Sequence, residues 1–248
     1  MTYKLNLLIP AAGNGSRLGL EYPKCMIKIH GKTILERQIS LFSSYDKNPT
    51  IVINKIYENM FNKFVKNMEL KIEVITQCNP KGMGDSVLAF KNSKFYHAAE
   101  DILLIWSDIP YLSESTLINT INRHFKNKND FTFPTIFTKN PYTIVKRDKF
   151  NNIIDIIETR NSDKKIINKT EREIGFFVFK KKPVYKYLSS NLASKFNLKT
   201  KEHSFLYIIK HLIKKGYKVE GIPIATIKDT YSINTLNDLQ TISKLDIN

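Results

Sequence analysis

The stretch from Leu5 to Leu18 constrains this chain more than any other part of it. Leu5, Leu7, Leu8 and Ile9 form an apolar run of strand length, which empties into Pro10-Ala11-Ala12-Gly13-Asn14-Gly15-Ser16-Arg17-Leu18. A buried strand that opens into a loop of small residues is how an α/β sheet begins, with the loop at the strand's carboxyl end. Small residues let backbone N–H groups close on phosphate oxygens, because no bulky side chain stands in the way. Arg17 and the later Lys24, which follows Pro23, add positive charge where a polyphosphate would lie. A nucleoside triphosphate site is the expectation, with Ala11, Ala12, Gly13, Asn14, Gly15 and Ser16 as its cradle.

Other glycine loops compete with this reading. The Walker string G-x-x-x-x-G-K-[ST] is absent. A dinucleotide fingerprint needs a third glycine where Leu18 stands, and an acid after the next strand, where Asn54-Lys55 follow Thr50–Ile53. A glycine-rich turn with no ligand is the remaining alternative, against which Arg17 and Lys24 weigh.

Along the rest of the chain strands and helices alternate, the pattern of a mainly parallel sheet covered on both faces. Thr33–Phe42 reads as a helix capped by Thr33 with Glu36 at the capping-box position. Strands are expected at Thr50–Ile53, Ile72–Thr76 and Ile102–Trp106, and helices at Tyr57–Phe64, from Met83, and at Ser113–His124. Phe131–Phe137, Thr143–Lys146, Ile153–Glu158 and Ile174–Phe179 then read as strands with little helix between them. They imply an antiparallel extension bearing an acceptor site. Phe205–Lys214 and Leu236–Leu245 are amphipathic helices framing a strand near Val219. Lys180-Lys181-Lys182 reads as a solvated loop that could face an acceptor phosphate. No repeat or linker is visible, so one domain spans 1–248, with 1–112 as the nucleotide-binding part and 113–248 as the acceptor-binding part.

The formal net charge of +16 raises nucleic-acid binding, but only six of the 39 basic residues are arginine. Arginine is the better reader of bases and phosphates, and no recognition-helix, zinc-finger or RNA-binding string is present. The positive field suits small anionic substrates instead. Cys25 and Cys78 offer neither a disulfide framework nor a metal cluster. No apolar run approaches the roughly 20 residues of a membrane span, and the first residues read as a strand and not as a signal peptide. A cytoplasmic protein that binds neither membrane nor nucleic acid is expected.

Four segments together resemble the sugar-nucleotide pyrophosphorylase branch of the nucleotidyltransferases, a group that includes MobA-like proteins. Ala11-Ala12-Gly13-Asn14-Gly15-Ser16-Arg17 with Pro23-Lys24 matches that family's A-A-G-x-G-x-R and P-K at every fixed position. Gln77-Cys78-Asn79-Pro80-Lys81-Gly82-Met83-Gly84-Asp85-Ser86 resembles its Q-x(4)-G-T-G-x-A base-reading loop. Leu103–Pro110 resembles its strand ending in G-D-x-P, and Asp229–Thr235 its late G-[IV]-N-[TD]. The resemblance runs from Leu5 to about Leu239, and is greatest to the N-acetylglucosamine-1-phosphate uridylyltransferase domain. It implies a Rossmann-like, glycosyltransferase-A-like α/β fold with a mixed, mainly parallel sheet sandwiched by helices.

The implied reaction is attack by an acceptor phosphate oxygen on the α-phosphorus of a nucleoside triphosphate, with pyrophosphate leaving. A phosphate monoester is mostly dianionic at pH 7, so no general base is needed, and catalysis reduces to positioning and charge stabilisation. Arg17 and Lys24 would serve the triphosphate. Asp108, just past a buried strand, is placed for Mg²⁺, which takes oxygen ligands. By resemblance Asn234 is the second ligand, and Asp229 and Asp238 are nearby acids that could substitute. Gln77, with Gly82 and Met83, would face the base, the Gln amide accommodating uracil or cytosine by flipping. Met83 stands where uridylyltransferases carry Thr, which favours CTP over UTP.

The acceptor side departs from the family. Pro141-Tyr142-Thr143-Ile144-Val145 replaces Y-G-R-[IV], and Glu171-Arg172-Glu173-Ile174-Gly175 replaces E-x-N-[TG]-G. Two carboxylates, with Glu158 on a neighbouring strand, suit an acceptor bearing an ammonium group, because a buried cation needs a partner. Phosphocholine or phosphoglutamine would satisfy that, the latter implying a cytidylyltransferase of capsule polysaccharide biosynthesis. Alternatively, Glu171 and Glu173 face solvent on an exposed strand pair. Tyr142, Glu158, Glu173, Gly175 and His203 are the acceptor candidates, although a lone histidine such as His203 is more often a surface or packing residue. Competing classes are a UTP-dependent sugar-1-phosphate uridylyltransferase and a non-catalytic nucleic-acid-binding module. A glycosyltransferase would carry Asp-x-Asp where Ser107-Asp108-Ile109-Pro110 stands.

Overall fold

The computed structural model describes residues 4–13, 15, 18–139, 141–159, 168–197 and 199–245. The chain runs β1 (Leu5–Ala11), a short hairpin of β2 (Lys28–Ile29) and β3 (Lys32–Thr33), α1 (Ile34–Phe42), β4 (Thr50–Asn54), α2 (Glu58–Lys66), β5 (Glu73–Gln77), α3 (Met83–Ala89), β6 (Asp101–Ile105) and α4 (Glu114–Lys126). It continues through β7 (Phe131–Thr138), β8 (Thr143–Arg147), β9 (Ile153–Glu158), β10 (Thr170–Glu173), β11 (Phe176–Lys180), α5 (Lys181–Leu188), α6 (Tyr207–Lys214), β12 (Val219–Ile222) and α7 (Leu236–Ser243).

Eight strands form one sheet in the order β10-β7-β11-β6-β1-β4-β5, with β12 beside β7. The half containing β6, β1, β4 and β5 is parallel, whereas β11 is antiparallel to both β6 and β7. The sheet is therefore mixed and mainly parallel, and β8 pairs antiparallel with β9 as a separate hairpin. That hairpin is the expected antiparallel extension.

Alternation along β1 sorts the core into two layers. Leu8 faces a cluster with Leu104, Phe131 and Phe177, covered by α3, α5 and α6. Leu7 and Ile9 face another with Leu103, Ile105 and Phe176, covered by α1, α2 and α4. A third, smaller cluster of Leu18, Ile27, Ile34, Tyr111, Ile233 and Ile242 lies at the carboxyl edge. Leu18 thus fastens the small-residue loop, and α7 packs beneath the same edge.

Local chemistry explains the element boundaries. Glu36 N donates to Thr33 Oγ1 at 3.0 Å and Thr33 N to Glu36 Oε2 at 2.5 Å, completing the capping box of α1. Ser113 caps α4 by accepting from Thr116 N. Two expectations need correction. The strand expected at Ile174–Phe179 begins at Phe176, because β10 and β11 both run along β7 with a two-residue slip between them. Glu173 stands opposite Thr135 and Val178 opposite Thr132, and the slack is Ile174-Gly175.

The lysine run is not a loop. Lys180 closes β11 and bonds Asp130 Oδ1 at 2.9 Å, while Lys181 opens α5 and donates to Tyr96 O. Pro183 is tolerated in the first turn of that helix, where its missing N–H would have no partner. Lys180 pairs with Asp101 at the amino end of β6, so the run lies away from the sheet's carboxyl edge and cannot serve an acceptor there.

Candidate active site

The carboxyl ends of β1, β4 and β6 lie side by side. Ala11 and Ala12 are buried at the end of β1, Gly13 is exposed, and Gly15 O accepts from Leu18 N at 2.9 Å. Asn14, Ser16 and Arg17 lie outside the described residues. Lys24 follows in a short helical turn, Lys24–Met26, and its Nζ reaches across the edge to donate to Asn234 Oδ1 at 2.8 Å.

Asp108 sits one turn past β6. Its backbone oxygen accepts from Ile233 N at 3.0 Å, which locks the 229–235 segment against the strand end. Burial raises its carboxyl above the ordinary aspartate range, and Lys24 and then Arg172 work against that rise. A half-buried carboxylate held at a cost, in one cleft with an amide oxygen that already faces a cation, is a donor set suited to Mg²⁺. Asp108 and Asn234 fit that ion, and both line the same cleft.

The two substitute acids are otherwise engaged. Asp229 is fully buried and accepts from Ser113 N at 2.6 Å, Thr116 Oγ1 at 2.8 Å and Thr226 N at 2.7 Å. Its carboxylate fastens the 226–230 turn to the start of α4. Asp238 closes the capping box of α7, accepting from Thr235 N at 2.7 Å and Asn234 N at 2.9 Å. That second bond holds the Asn234 backbone.

The cleft encloses about 500 Å³ and brings together Met83, Asp108, Tyr142, Glu158, Glu173, Gly175 and Asn234 from the expected set. Gly175 has φ +83°, and a Cβ there would stand 2.5 Å from Ile109 Cδ1 and 2.6 Å from Trp106 Cδ1. Glycine is thus required for the cleft floor to close. Trp106 N donates to Gly175 O at 3.0 Å, joining β6 to the same turn.

Glu173 accepts from Thr143 Oγ1 at 3.0 Å and from Gly175 N. Burial raises its carboxyl above the usual glutamate range, with Arg172, Gly175 N–H and Thr143 pulling the other way and Glu158 adding to the rise. Arg172 donates from Nε to Glu173 O at 2.8 Å and lies 5.6 Å from the centroid of Tyr142. Glu158 accepts from Ser204 Oγ at 2.8 Å. Arg172, Ser204 and Trp106 are wall residues that the sequence reading did not assign. An arginine between two acids was the available signal for the first of them.

Three expectations are revised. Glu171 does not face solvent or the cleft: it is buried in a bidentate pair with Arg147, at 2.6 Å on both arms, and accepts from Thr135 Oγ1 at 2.6 Å. Gln77 is not free to flip, since its Nε2 donates to Asp85 Oδ2 at 2.8 Å and its Oε1 accepts from Ser86 Oγ at 2.7 Å. Both amide ends hold the first turn of α3, which fixes the amide's orientation and leaves one N–H and one oxygen lone pair for a further partner. His203 packs under the Gly82–Gly84 loop instead of reaching the cleft. Its ring lies between Phe196 and Tyr207, and desolvation lowers its pKa to about 4, so it is neutral at pH 7.

Gly82 and Gly84 make room for that same segment. A Cβ on Gly82 would stand 2.6 Å from His203 O, and one on Gly84 would stand 2.2 Å from Ser204 O. Their spacing is therefore explained first by backbone packing, with Gly84 N donating to His203 O at 2.9 Å. Cys25 is buried, its thiol pushed up to about 12 by desolvation, and Cys78 is exposed; both are free. Among the described residues no helix is long and apolar enough to cross a membrane.

A mixed α/β sheet of this order, with a cleft at the carboxyl ends of its parallel strands, defines the nucleotidyltransferase-like, glycosyltransferase-A-like fold class. Residues 7–173 match the MobA-like NTP transferase domain, and the chain belongs to that family. It is 29% identical over 248 residues to the bifunctional protein GlmU of Buchnera aphidicola subsp. Schizaphis graminum (strain Sg), covering 98% of this chain and 51% of that protein. To the GlmU protein of Thermosipho africanus (strain TCF52B) it is 27% identical over 246 residues, covering 98% and 50%. The chain spans about half the length of these relatives.

Two solved structures share the fold. The inositol-1-phosphate CTP transferase from T. maritima superposes with a TM-score of 0.71 at 17% identity, covering 98% of this chain and 96% of that one. The nucleoside-diphosphate-sugar pyrophosphorylase from Vibrio cholerae RC9 gives 0.72 at 15% identity, covering 96% and 100%.

Proposed function

We propose that the protein transfers a nucleoside monophosphate, CMP from CTP, onto a phosphorylated small molecule carrying an amine, and releases pyrophosphate. The observation that carries this is the composition of one cleft. Asp108 and Asn234, the latter bonded by Lys24, share its wall with Arg172, Glu173 and Glu158. Family membership supports the reaction type, and Met83 on the cleft wall supports cytosine over uracil.

The acceptor phosphate oxygen attacks the α-phosphorus; that bond forms as the bond to pyrophosphate breaks, and pyrophosphate carries the electron pair away. Lys24 sits where it can hold phosphate charge, and Arg172 is a second fixed cation for the acceptor phosphate. Arg17 and the loop N–H groups complete the triphosphate side of this reading. Asp108 and Asn234 would hold Mg²⁺, which when bound polarises phosphate oxygens and screens the leaving pyrophosphate. Glu173, buried and adjacent to Glu158, offers a negative subsite for an ammonium group, which a neutral hexose would not use. In this reading 1–112 supplies the nucleotide side and 113–248 the acceptor side, and an amine-bearing acceptor such as phosphocholine or phosphoglutamine places the enzyme in surface-polysaccharide assembly.

Similarity to GlmU favours a second reading, a UTP-dependent sugar-1-phosphate uridylyltransferase. Pyrophosphate release separates the two. The enzyme with Mg²⁺ is incubated with CTP or UTP, each with phosphocholine, phosphoglutamine or N-acetylglucosamine 1-phosphate. Release with CTP and an amine-bearing acceptor is expected, and release only with UTP and the sugar phosphate supports the second reading.

A further inference from the structure

Asp108 rides on a tight turn at 106–109, closed by Ile109 N donating to Trp106 O at 3.3 Å. Two backbone bonds tie this turn to its neighbours. Trp106 N donates to Gly175 O, and Ile233 N donates to Asp108 O, both at 3.0 Å. From α1 the hold is a side chain instead. Gln38 Nε2 donates to Trp106 O and to Ile109 O, both at 2.9 Å. One amide therefore grips the carbonyls on either side of Asp108.

A glutamine is an unexpected residue at this place. Gln38 lies on the buried stripe of α1 with Ile34, Leu35, Ile39 and Phe42, where an apolar side chain is the norm, and it is 3% exposed. Carbonyl oxygens only accept, so the amide nitrogen must face them, and both of its hydrogens are engaged. The other end of the amide is left at a cost: Oε1 is buried and has no partner among the described residues. An apolar side chain of the same length would avoid that unpaired acceptor. What glutamine adds over methionine here is the pair of donations to the peptide groups that flank Asp108.

We propose that Gln38 is a positioning residue for the metal-holding end of the cleft: by fixing the carbonyls around Asp108 it sets where that carboxylate stands relative to Asn234. The inference rests on the functional reading above, in which Asp108 and Asn234 hold Mg²⁺. Gln38 does not itself line the cleft and acts through the 106–109 turn. The bond from Ile233 N to Asp108 O passes the same hold to the residue before Asn234, so one clamp orders both ligands. Mg²⁺ tolerates little departure from its preferred geometry. A carboxylate on a loosened turn therefore loses affinity for the ion before the fold is lost. Replacing groups that orient metal ligands typically weakens metal binding about 10–100-fold.

The test titrates CTP and UTP into the wild type and Gln38→Met, without Mg²⁺ and at a series of Mg²⁺ concentrations, reading heat alongside thermal unfolding. Gln38→Met keeps the length of the side chain and removes both donors together with the unpaired oxygen. It is expected to unfold close to the wild type and to bind nucleotide without Mg²⁺ as the wild type does. It should need about tenfold more Mg²⁺ for the same gain in affinity, with excess Mg²⁺ restoring that gain. Gln38→Glu, which presents one proton at most to the two carbonyls, is expected to fall between them, and it stands in should Gln38→Met fail to fold. An unchanged Mg²⁺ requirement in the folded variants overturns the proposal. So does a loss of affinity that is equal with and without Mg²⁺. Nucleotide binding that ignores Mg²⁺ in the wild type itself overturns the functional reading as well, so the two failures are told apart.

Discussion

Lys24 Nζ donates to Asn234 Oδ1 at 2.8 Å across 210 positions of sequence, and this bond closes the carboxyl edge of the sheet. Two segments that resemble family motifs at opposite ends of the chain thereby become one site. Lys24 also lowers the raised carboxyl of Asp108, so the three residues form a single electrostatic unit. Lys24→Met is expected to cut turnover about a hundredfold or more, the scale of a lost transition-state donor, with the fold kept. Steady-state pyrophosphate release and far-ultraviolet circular dichroism check this together.

Asp108→Asn should separate activity from stability. The folded pKa of Asp108 lies above its ordinary value of 3.8, so its ionisation opposes folding. That penalty is absent well below pH 4, grows as pH rises through the folded pKa, and is full above it. Thermal unfolding at pH 7 is expected to show a higher midpoint for Asp108→Asn than for the wild type, with the gap closing in acid. A lower midpoint at pH 7 would mean that the carboxylate is a structural support.

Glu171 and Glu173 are two residues apart and predict opposite outcomes. Glu171→Gln breaks a buried pair with Arg147 and is expected to destabilise the fold by about 3 kcal/mol while leaving the acceptor KM alone. Glu173→Gln is expected to raise the acceptor KM with little change in nucleotide binding. Because the Glu173 carboxyl is raised above 4.5, binding of an amine-bearing acceptor should already weaken above that pH as the solution is acidified. In Glu173→Gln that acid limb should be lost. Equal loss of nucleotide and acceptor binding would show that Glu173 does not read the acceptor.

Gly84→Ala tests the packing account of the glycine loop. Its Cβ would fall 2.2 Å from Ser204 O, a backbone atom that cannot swing aside. A loss of roughly 2 kcal/mol in chemical denaturation is expected, as for overpacked sites. Wild-type stability would mean that the 203–204 segment shifts freely.

These residues also show what can be read from a sequence and what cannot. Thr33 and Glu36 were legible because a capping box is local, three residues wide and chemically specific. Asp108 was legible because a carboxylate just past an apolar strand falls at the edge where such sheets bind ligands. The free flip of the Gln77 amide was misjudged because the partners that fix it, Asp85 and Ser86, reach it only once the loop has folded back onto α3. Glu171 was misjudged because its partner Arg147 comes from the separate β8–β9 hairpin, a pairing that no periodicity reveals. Strand alternation places Arg172 on the face opposite Glu173. Both line the cleft because β10 ends at Glu173 and the chain turns at Gly175. Asp229 and Asp238 carried the right charge in the right region, yet helix starts had claimed them.

Calorimetric titration with CTP and UTP, each with and without Mg²⁺, tests the central claim most directly, in the wild type and in Asp108→Asn. Saturable binding of a pyrimidine triphosphate that requires Mg²⁺ and is lost in Asp108→Asn is the expected result, with CTP the tighter of the two. Binding that is indifferent to both Mg²⁺ and Asp108, or no binding of either nucleotide, would contradict the assignment of this cleft to nucleotidyl transfer.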